Sequence, residues 1–224
     1  MGNAPGLSDS TPYHESKTFR NCRNNSDRRR SPCSVRSQPR FALVSLLALP
    51  DTNTFKGKRD RALLALFVSA GIRREELATL SREQIQQRDG RWCLVDLIGK
   101  GGRIRTVAIP EWTKQAVDAW LEVMPIKQGL VLGRINKGGR FTGAGMSASS
   151  IYGVVVQYAA RLDVKFTPHD LRRTYGKLAH KGGGRIEQIQ LSYGHASLTT
   201  TERYLGIERD LEDAPCDHLG LTTA

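Results

Sequence analysis

The stretch TPHDLRR, residues 167–173, predicts where a helix begins and which way its first side chains point. Thr167 suits the N-cap, Pro168 suits the first helical position and Asp170 completes a capping box. The helical pattern continues to Lys181, after which three glycines follow. A cap of this kind fixes the first turn, so polar residues just after it are candidates for a shared site.

Two side chains of that first turn suit an anion. His169 and Arg172 are spaced to share one face near the helix N-terminus, where unpaired N–H groups and positive potential favour a phosphate oxygen. Alone, this spacing more often marks an interior histidine beside an exposed arginine. The pair His169-Asp170 also fits a metal phosphohydrolase of the HD type, but the further His and Asp ligands of that chemistry are not suitably placed.

Upstream, the chain offers a second arginine and a lysine. Gly71 is predicted to end a helix, Arg73 follows it, and Glu76 is spaced to pair with Arg73 and hold its guanidinium at a fixed angle. Lys100 lies in a glycine-rich turn, GKGG at 99–102, from which a mobile ammonium can protonate a leaving oxygen. Taken alone, these are a solvated charged face and a basic hairpin tip, and GKGG lacks the spacing of a nucleotide-binding loop.

The segment GHASLTTTERY, residues 194–204, places His195 before Tyr204. A tyrosine with an ordinary pKa of about 10 is a weak nucleophile. Nearby cations are expected to lower that pKa, and a basic partner to accept the proton. Tyr175 and Tyr193 compete for this role, but their apolar neighbours predict core or pocket lining. Two arginines, two histidines, a lysine and a late tyrosine are together the groups that cut a phosphodiester without a metal.

The remaining patterns predict an α+β fold that is mostly helical, with a small antiparallel sheet. A hairpin is expected from strands at 92–98 and 104–109, and a glycine-rich loop at 137–145. One apolar face is predicted for the helix that follows Pro110, with Ala116, Ala119, Trp120 and Val123 on it. Helices are expected at 43–49, 61–68, 73–80, 111–124, 147–162 and 185–192, with a last one capped by Thr199 and Glu202.

The charge balance favours a polyanion as partner. Lysine and arginine total 34 against 22 acidic residues, giving +12, and this favours nucleic acid first and an anionic membrane second. No apolar run approaches the roughly 20 residues that span a bilayer, and the start lacks the order of a signal peptide. The cysteines at 22, 33, 93 and 216 show no metal spacing, so we expect a reduced cytosolic protein without a metal site.

The four motifs together resemble the catalytic domain of the tyrosine recombinases, the phage-integrase superfamily. The G-[LI]-R-x-x-E-L box of that family is matched by GIRREEL at 71–77, and its hairpin lysine by Lys100. Its H-x-x-R box falls on 169–172. Its G-H-x-x-x-x-T-T box, with the nucleophile nine residues after the histidine, falls on 194–204. The match covers about residues 58–206, and the implied fold is that of the DNA breaking-rejoining enzymes.

The resemblance implies a cofactor-free attack on DNA. Tyr204 would attack the scissile phosphate, giving a 3′-phosphotyrosyl link and a free 5′-hydroxyl. Arg73 and Arg172 would bind the non-bridging oxygens, with His195 in support. The ester keeps the bond energy, so a second strand can reverse the step.

The implied proton transfers involve two further groups. Lys100 would protonate the leaving 5′ oxygen, and His169 would assist proton transfer to or from Tyr204. The implied partner is double-stranded DNA, with four subunits on two duplexes, no membrane, and a place on the nucleoid in the cytoplasm. The surface residues proposed as DNA phosphate contacts are Lys114, Lys137, Arg140, Lys165 and Arg173.

The predicted organisation has four parts. Residues 1–40 are rich in Ser, Asn, Arg and Pro, which predicts a disordered basic arm. Residues 41–57 form a lead-in segment, a candidate remnant of the clamp domain that family members usually carry. The catalytic domain spans 58–210. A tail, 211–224, either docks on a neighbouring subunit or is a flexible end.

Other functions fit part of the sequence. A non-cleaving DNA-binding remnant of a mobile element would keep the basic surface without productive clamping. A type IB topoisomerase would share the tyrosine chemistry but relax supercoils without a specific site. An RNA or membrane binder would explain only the charge.

Overall fold

The computed structural model describes residues 39–99 and 101–207. The predicted arm up to residue 38, Lys100 and the predicted tail at 211–224 lie outside the described residues. Within the described ranges the chain has the predicted α+β fold, mostly helical with small antiparallel sheets. Its α-helices are α1 (Pro39–Ala48), α2 (Phe55–Ala70), α3 (Arg74–Thr79), α4 (Glu111–Val123), α5 (Ala148–Ala160), α6 (Pro168–Lys181), α7 (Ile186–Tyr193) and α8 (Leu198–Leu205).

The strands form two antiparallel sheets. The first has the order β1-β2-β3, from Ile85–Arg88, Arg91–Ile98 and Ile104–Ala108. The second pairs β4 (Gly133–Ile135) with β5 (Phe141–Gly145). The hairpin of β2 and β3 was predicted; β1 was not, because it is short, polar and only partly buried. The loop predicted at 137–145 is therefore wrong in part, since its second half is strand β5.

Helix α2 forms the centre of the main core. Thr54 caps it by accepting a hydrogen bond from the Gly57 N–H at 3.0 Å, and Gly71 ends it in the left-handed conformation at φ 56°. A Cβ on Gly71 would also lie 2.4 Å from the Tyr175 ring, so glycine is required for both reasons. The helix is buried on most of its circumference, as expected for an element surrounded by others. Its rigid end places Arg73 directly after it.

Helix α4 packs against α2 through a face that differs from the predicted one. Its buried residues are Thr113, Val117 and Trp120, and the Trp120 Nε1–H donates to the Val131 carbonyl at 2.8 Å. The predicted inclusion of Ala119 is wrong, since this residue is exposed. The anchored indole sets the rotation of the helix, and alanines contribute too little apolar area to compete with it.

Helices α7 and α8 pack on α6 around a small core of their own. Its fully or nearly fully buried residues are Ile189, Tyr193 and Leu205, with Tyr204 packed against them. The predicted cap of α8 at Thr199 is wrong, because the Ser197 hydroxyl accepts from the Thr200 N–H at 3.3 Å and the helix begins earlier. None of the helices in the described ranges is long and apolar enough to cross a membrane.

A buried ion pair within α2, which also accepts a hydrogen bond from α5, supports a stability prediction. Asp60 is fully buried, accepts from the Arg59 guanidinium at 2.6 and 2.9 Å, and accepts from the Tyr158 hydroxyl at 3.1 Å. Asp60→Ala leaves a buried guanidinium without its partner, so we expect a loss of about 3–5 kcal/mol in the free energy of unfolding.

Urea unfolding followed by circular dichroism measures that loss. The matched control is Asp118→Ala, since Asp118 is half exposed in its pair with Lys114 and its removal should cost at most about 1 kcal/mol. Equal losses in the two variants would show that burial of the Asp60 pair carries no special energy.

Candidate active site

A cleft of about 360 Å³ opens where the start of α3, the first turn of α6 and the link from α7 to α8 meet. It gathers the predicted catalytic residues of the described ranges, which come from distant parts of the chain. Its lining residues are Ile72, Arg73, Arg74, Glu75, Tyr152, Thr167, Pro168, His169, Arg172, His195 and Tyr204.

Arg172 is the buried cation of the cleft. Only 4% of the residue is exposed; its Nη1 donates to the Gly71 carbonyl and its Nη2 to the Tyr193 carbonyl at 2.8 Å. The guanidinium also lies 4.2 Å from the centre of the Tyr193 ring. Burial and the nearby Arg73 lower the pKa of Arg172 to about 10, which leaves it charged at neutral pH. One side chain thus joins the end of α2 to the end of α7 and keeps a fixed positive charge beside the cleft.

Arg73 is oriented by the carboxylate three residues after it. Its Nη1 donates to Glu76 Oε1 at 2.8 Å and its backbone N–H donates to Glu76 Oε2 at 2.8 Å. Glu76 is itself buried, so the guanidinium is held against a fixed support while it remains partly exposed to the cleft.

Arg105 completes this arrangement, although the sequence motifs did not predict it. Its Nη1 and Nη2 donate to the two oxygens of Glu76 at 2.9 and 2.7 Å, and its Nε donates to the Ser192 carbonyl at 2.8 Å. Gly194 follows at φ 65°, where a Cβ would lie 3.0 Å from the Arg105 Cδ. The available signal was alternation in β3, because Arg105 shares the inward face of that strand with buried Val107.

His195 sits between α7 and α8 with one ring nitrogen engaged. Its Nδ1 lies 3.0 Å from the hydroxyl oxygen of Thr201, which is fully buried in α8. Burial, together with the charges of Arg172, Arg73 and Arg105, lowers the pKa of His195 to about 4. The imidazole is therefore neutral at pH 7 and has a single N–H to offer.

Tyr204 presents its ring to both histidines. The ring centroids of His169 and His195 each lie 5.5 Å away, edge-on, and that of Tyr193 lies at 5.3 Å. The Tyr204 hydroxyl is buried and has no hydrogen-bond partner among residues 39–99 and 101–207. Burial raises the pKa of this hydroxyl despite the opposing charges of Arg172, Arg173 and Arg73. The expectation that cations lower that pKa is wrong for the free protein, because desolvation outweighs them.

The two competing tyrosines are structural, as predicted. Tyr193 is fully buried, and its hydroxyl donates to the Arg172 carbonyl at 2.6 Å. Tyr175 packs against it with ring centroids 5.9 Å apart. Both tyrosines therefore pack in the small core next to the cleft, and neither lines the cleft.

The sequence of the chain was compared with those of known protein families. The sequence model described as the phage integrase family matches residues 40–209, which is most of the chain. The chain belongs to the phage integrase family. This confirms the resemblance drawn from the four motifs.

Curated relatives of this integrase-family chain include tyrosine recombinases. It is 32% identical over 182 residues to tyrosine recombinase XerC of Thermodesulfovibrio yellowstonii, covering 77% of this chain and 60% of that protein. It is 31% identical over 178 residues to tyrosine recombinase XerD of Xanthomonas campestris, covering 74% of this chain and 53% of that protein. The chain thus spans between half and three fifths of the length of these relatives.

Solved structures share the fold. The crystal structure of XerA recombinase aligns with a TM-score of 0.60 at 22% identity, covering 76% of this chain and 60% of that one. XerH recombinase bound to difH substrate aligns with a TM-score of 0.63 at 20% identity, covering 77% and 49%. At this identity the alignments show a common fold for the integrase-family chain and these two proteins.

The residues proposed as DNA phosphate contacts lie outside the cleft lining of this family member. Lys114 is engaged within the molecule, because its ammonium contacts Asp118 at 2.6 and 2.8 Å and lies 3.9 Å from the Trp92 ring centre. The other four, which are exposed, are Lys137, Arg140, Lys165 and Arg173.

The metal phosphohydrolase alternative gains no support from Asp170. Its carboxylate accepts from the Thr167 N–H at 3.0 Å and the Thr167 hydroxyl at 2.7 Å, completing the predicted capping box. In the part of the chain that the structure describes, no three His, Cys, Asp or Glu side chains form a group that could hold a metal ion.

The Glu76 carboxylate gives a pH prediction. Burial raises the pKa of Glu76, but hydrogen bonds from Arg105 and Arg73 outweigh burial and lower it from 4.5 to about 2. As the pH falls, the Glu76 carboxylate takes up its proton in the unfolded chain at a higher pH than in the folded protein. The stabilisation is therefore present above pH 4.5 and is lost as the pH falls towards 2.

Urea unfolding across this range, with Glu76→Gln beside the wild type, isolates the contribution. The stability difference between the two proteins should shrink steadily as the pH falls below 4.5. A difference that stays constant down to the lowest pH would show that Glu76 does not titrate between these values.

Proposed function

We propose that this chain is the catalytic part of a site-specific DNA recombinase or integrase that cuts and rejoins DNA through a 3′-phosphotyrosyl intermediate. The observation that carries the proposal is Tyr204, which lines the same cleft as two fixed arginines and two histidines and whose buried hydroxyl lacks a partner in the described ranges. A hydroxyl buried without a partner costs free energy in a purely structural role.

The two guanidinium groups would bind the phosphate. Arg172 is held by two backbone carbonyls and Arg73 by Glu76, so neither must reorganise when negative charge develops on the non-bridging oxygens. Tyr204 Oη would form a bond to phosphorus while the bond from phosphorus to the 5′ oxygen breaks. His195, neutral at pH 7, would support a non-bridging oxygen by hydrogen bonding.

Proton transfer completes the step. The raised pKa of Tyr204 in the free protein means that its proton must leave to a base as the anionic phosphate and its counter-charges assemble. His169 is the neighbouring base, at a centroid distance of 5.5 Å. Lys100 would give a proton to the leaving 5′ oxygen, a role that follows from its motif, since the residue lies outside the described ranges.

The partner in this proposal is double-stranded DNA. The net charge of +12 supports a polyanion, and the related XerH was solved bound to difH substrate. We propose assembly as a homotetramer on two duplexes, in the cytoplasm on the nucleoid, with 58–210 as the catalytic domain. Helix α2, which begins at Phe55, joins this domain to the segment 41–57. The reaction itself needs no cofactor in this scheme.

A covalent-trap experiment tests the proposal. Purified protein is incubated with fragmented genomic DNA of its source, then denatured, and protein-linked DNA is recovered and sequenced. Peptide mass spectrometry of the adduct should place a 3′-phosphate on Tyr204. DNA retention without any adduct would favour the non-cleaving remnant, and adducts at random positions would favour a topoisomerase.

A further inference from the structure

Thr201 contacts the cleft histidine from the helix that carries the nucleophile. Its side chain is fully buried, and its Oγ1 lies 3.0 Å from His195 Nδ1. Thr201 and Tyr204 are one helical turn apart on α8. No role was given to Thr201 by the sequence motifs beyond its place in a run of threonines.

The direction of this hydrogen bond follows from what else Thr201 contacts. Among residues 39–99 and 101–207, the Thr201 Oγ1 atom has a single hydrogen-bond partner, which is Nδ1 of His195. If Nδ1–H donated, the buried hydroxyl proton would have no acceptor. If the hydroxyl donates to Nδ1, its proton is used and only an oxygen lone pair is left over, which proteins tolerate better than an orphaned donor.

The direction matters because the imidazole is neutral. Burial and the arginines around His195 lower its pKa to about 4, so at pH 7 the ring carries one proton on one nitrogen. A ring protonated at Nδ1 would turn a bare Nε2 lone pair towards the cleft, where it would repel a phosphate oxygen. A ring protonated at Nε2 offers that oxygen a hydrogen bond.

We propose that Thr201 is a positioning residue that holds His195 in its Nε2–H tautomer, so that the histidine donates to an anionic oxygen of the scissile phosphate. This deepens the proposed function and rests on it for the identity of the ligand. Since the Thr201 hydroxyl and Tyr204 belong to the same helix, the tautomer of His195 and the placement of the nucleophile both depend on the position of α8.

Nitrogen-15 NMR of the histidine rings reads the tautomer directly. The full chain is labelled at histidine, His195→Gln identifies the signals of His195, and spectra are recorded at neutral pH without DNA. Wild type and Thr201→Ser should show the Nε2–H pattern, and Thr201→Val should show a mixture of the two tautomers. A Nδ1–H pattern in the wild type, or an unchanged Nε2–H pattern in Thr201→Val, would overturn the proposal.

Adduct formation supplies the second readout. Thr201→Val should slow covalent trapping by about 10- to 100-fold, the range seen when the hydrogen-bond partner that orients a metal-bound histidine is removed, while Thr201→Ser stays near wild type. In the His195→Gln background, where no tautomer exists, Thr201→Val should have no further effect. An equal slowing in that background would assign Thr201 to packing alone and reject the proposal. If the wild type forms no adduct, the proposed function fails, whereas the NMR result still decides the tautomer.

Discussion

Tyr204→Phe is expected to abolish covalent attachment to DNA while DNA retention is unchanged. The variant removes only the hydroxyl oxygen that would bond to phosphorus, and loss of a nucleophile typically costs at least about 10⁴-fold in rate. The ring contacts with His169, His195 and Tyr193 remain, so the cleft keeps its shape. Removing a buried hydroxyl that lacks a partner should also leave the folded state as stable as before, or more so.

The measurement is recovery of protein-linked DNA after denaturation, with filter retention of the same DNA as the binding control. Tyr175→Phe is the matched variant, since Tyr175 lies in the small core beside Tyr204 but does not line the cleft. It should form adducts at the wild-type rate. Adducts that persist in Tyr204→Phe and vanish in Tyr175→Phe would show that the nucleophile is Tyr175 of α6 and that the assignment to Tyr204 is wrong.

Arg172→Lys is expected to slow adduct formation by about 10²- to 10³-fold, although the positive charge is kept. The lysine side chain is shorter and ends in a single ammonium group. It does not replace the planar guanidinium, which donates to the Gly71 and Tyr193 carbonyls and would also bind a phosphate. Two carbonyl groups near the core would also lose a charged donor, at about 1–3 kcal/mol in the free energy of unfolding.

Arg185→Lys is the control for this substitution. It makes the same chemical change just before α7, at an exposed position outside the cleft lining. Single-turnover trapping rates and urea unfolding, measured for both variants, separate the two effects. If Arg172→Lys lost stability but trapped DNA at the wild-type rate, the guanidinium would be structural and the assignment of Arg172 to the phosphate would be wrong.

The sequence predicted most reliably what is encoded locally. The capping box at Thr167 and Asp170 lies within four consecutive residues, and the glycine that ends α2 is adjacent to the segment holding Arg73. Those signals were enough to place His169, Arg172 and Arg73 on defined helix ends. They gave the helical α+β class and, with the tyrosine motif, the family.

Features that depend on distant partners were not predicted. Arg105 acts through Glu76 and Ser192, which are 29 and 87 residues away along the chain, and only the folded sheet brings them together. The pKa of Tyr204 was misjudged for a related reason. Charges are visible in a sequence, whereas the burial that outweighs them is a property of the packed helices.

The seating of α7 and α8 on a core of their own has a consequence for dynamics. Their buried apolar residues, Ile189, Tyr193 and Leu205, form a cluster separate from the large one around α2. Segments that bury little apolar area have a lower free energy of local unfolding than the main core against which they pack. We therefore expect the amide hydrogens of α8 to exchange with solvent before those of α2. Local opening of α7 and α8 would then move Tyr204 away from Arg172 while the core around α2 stays folded.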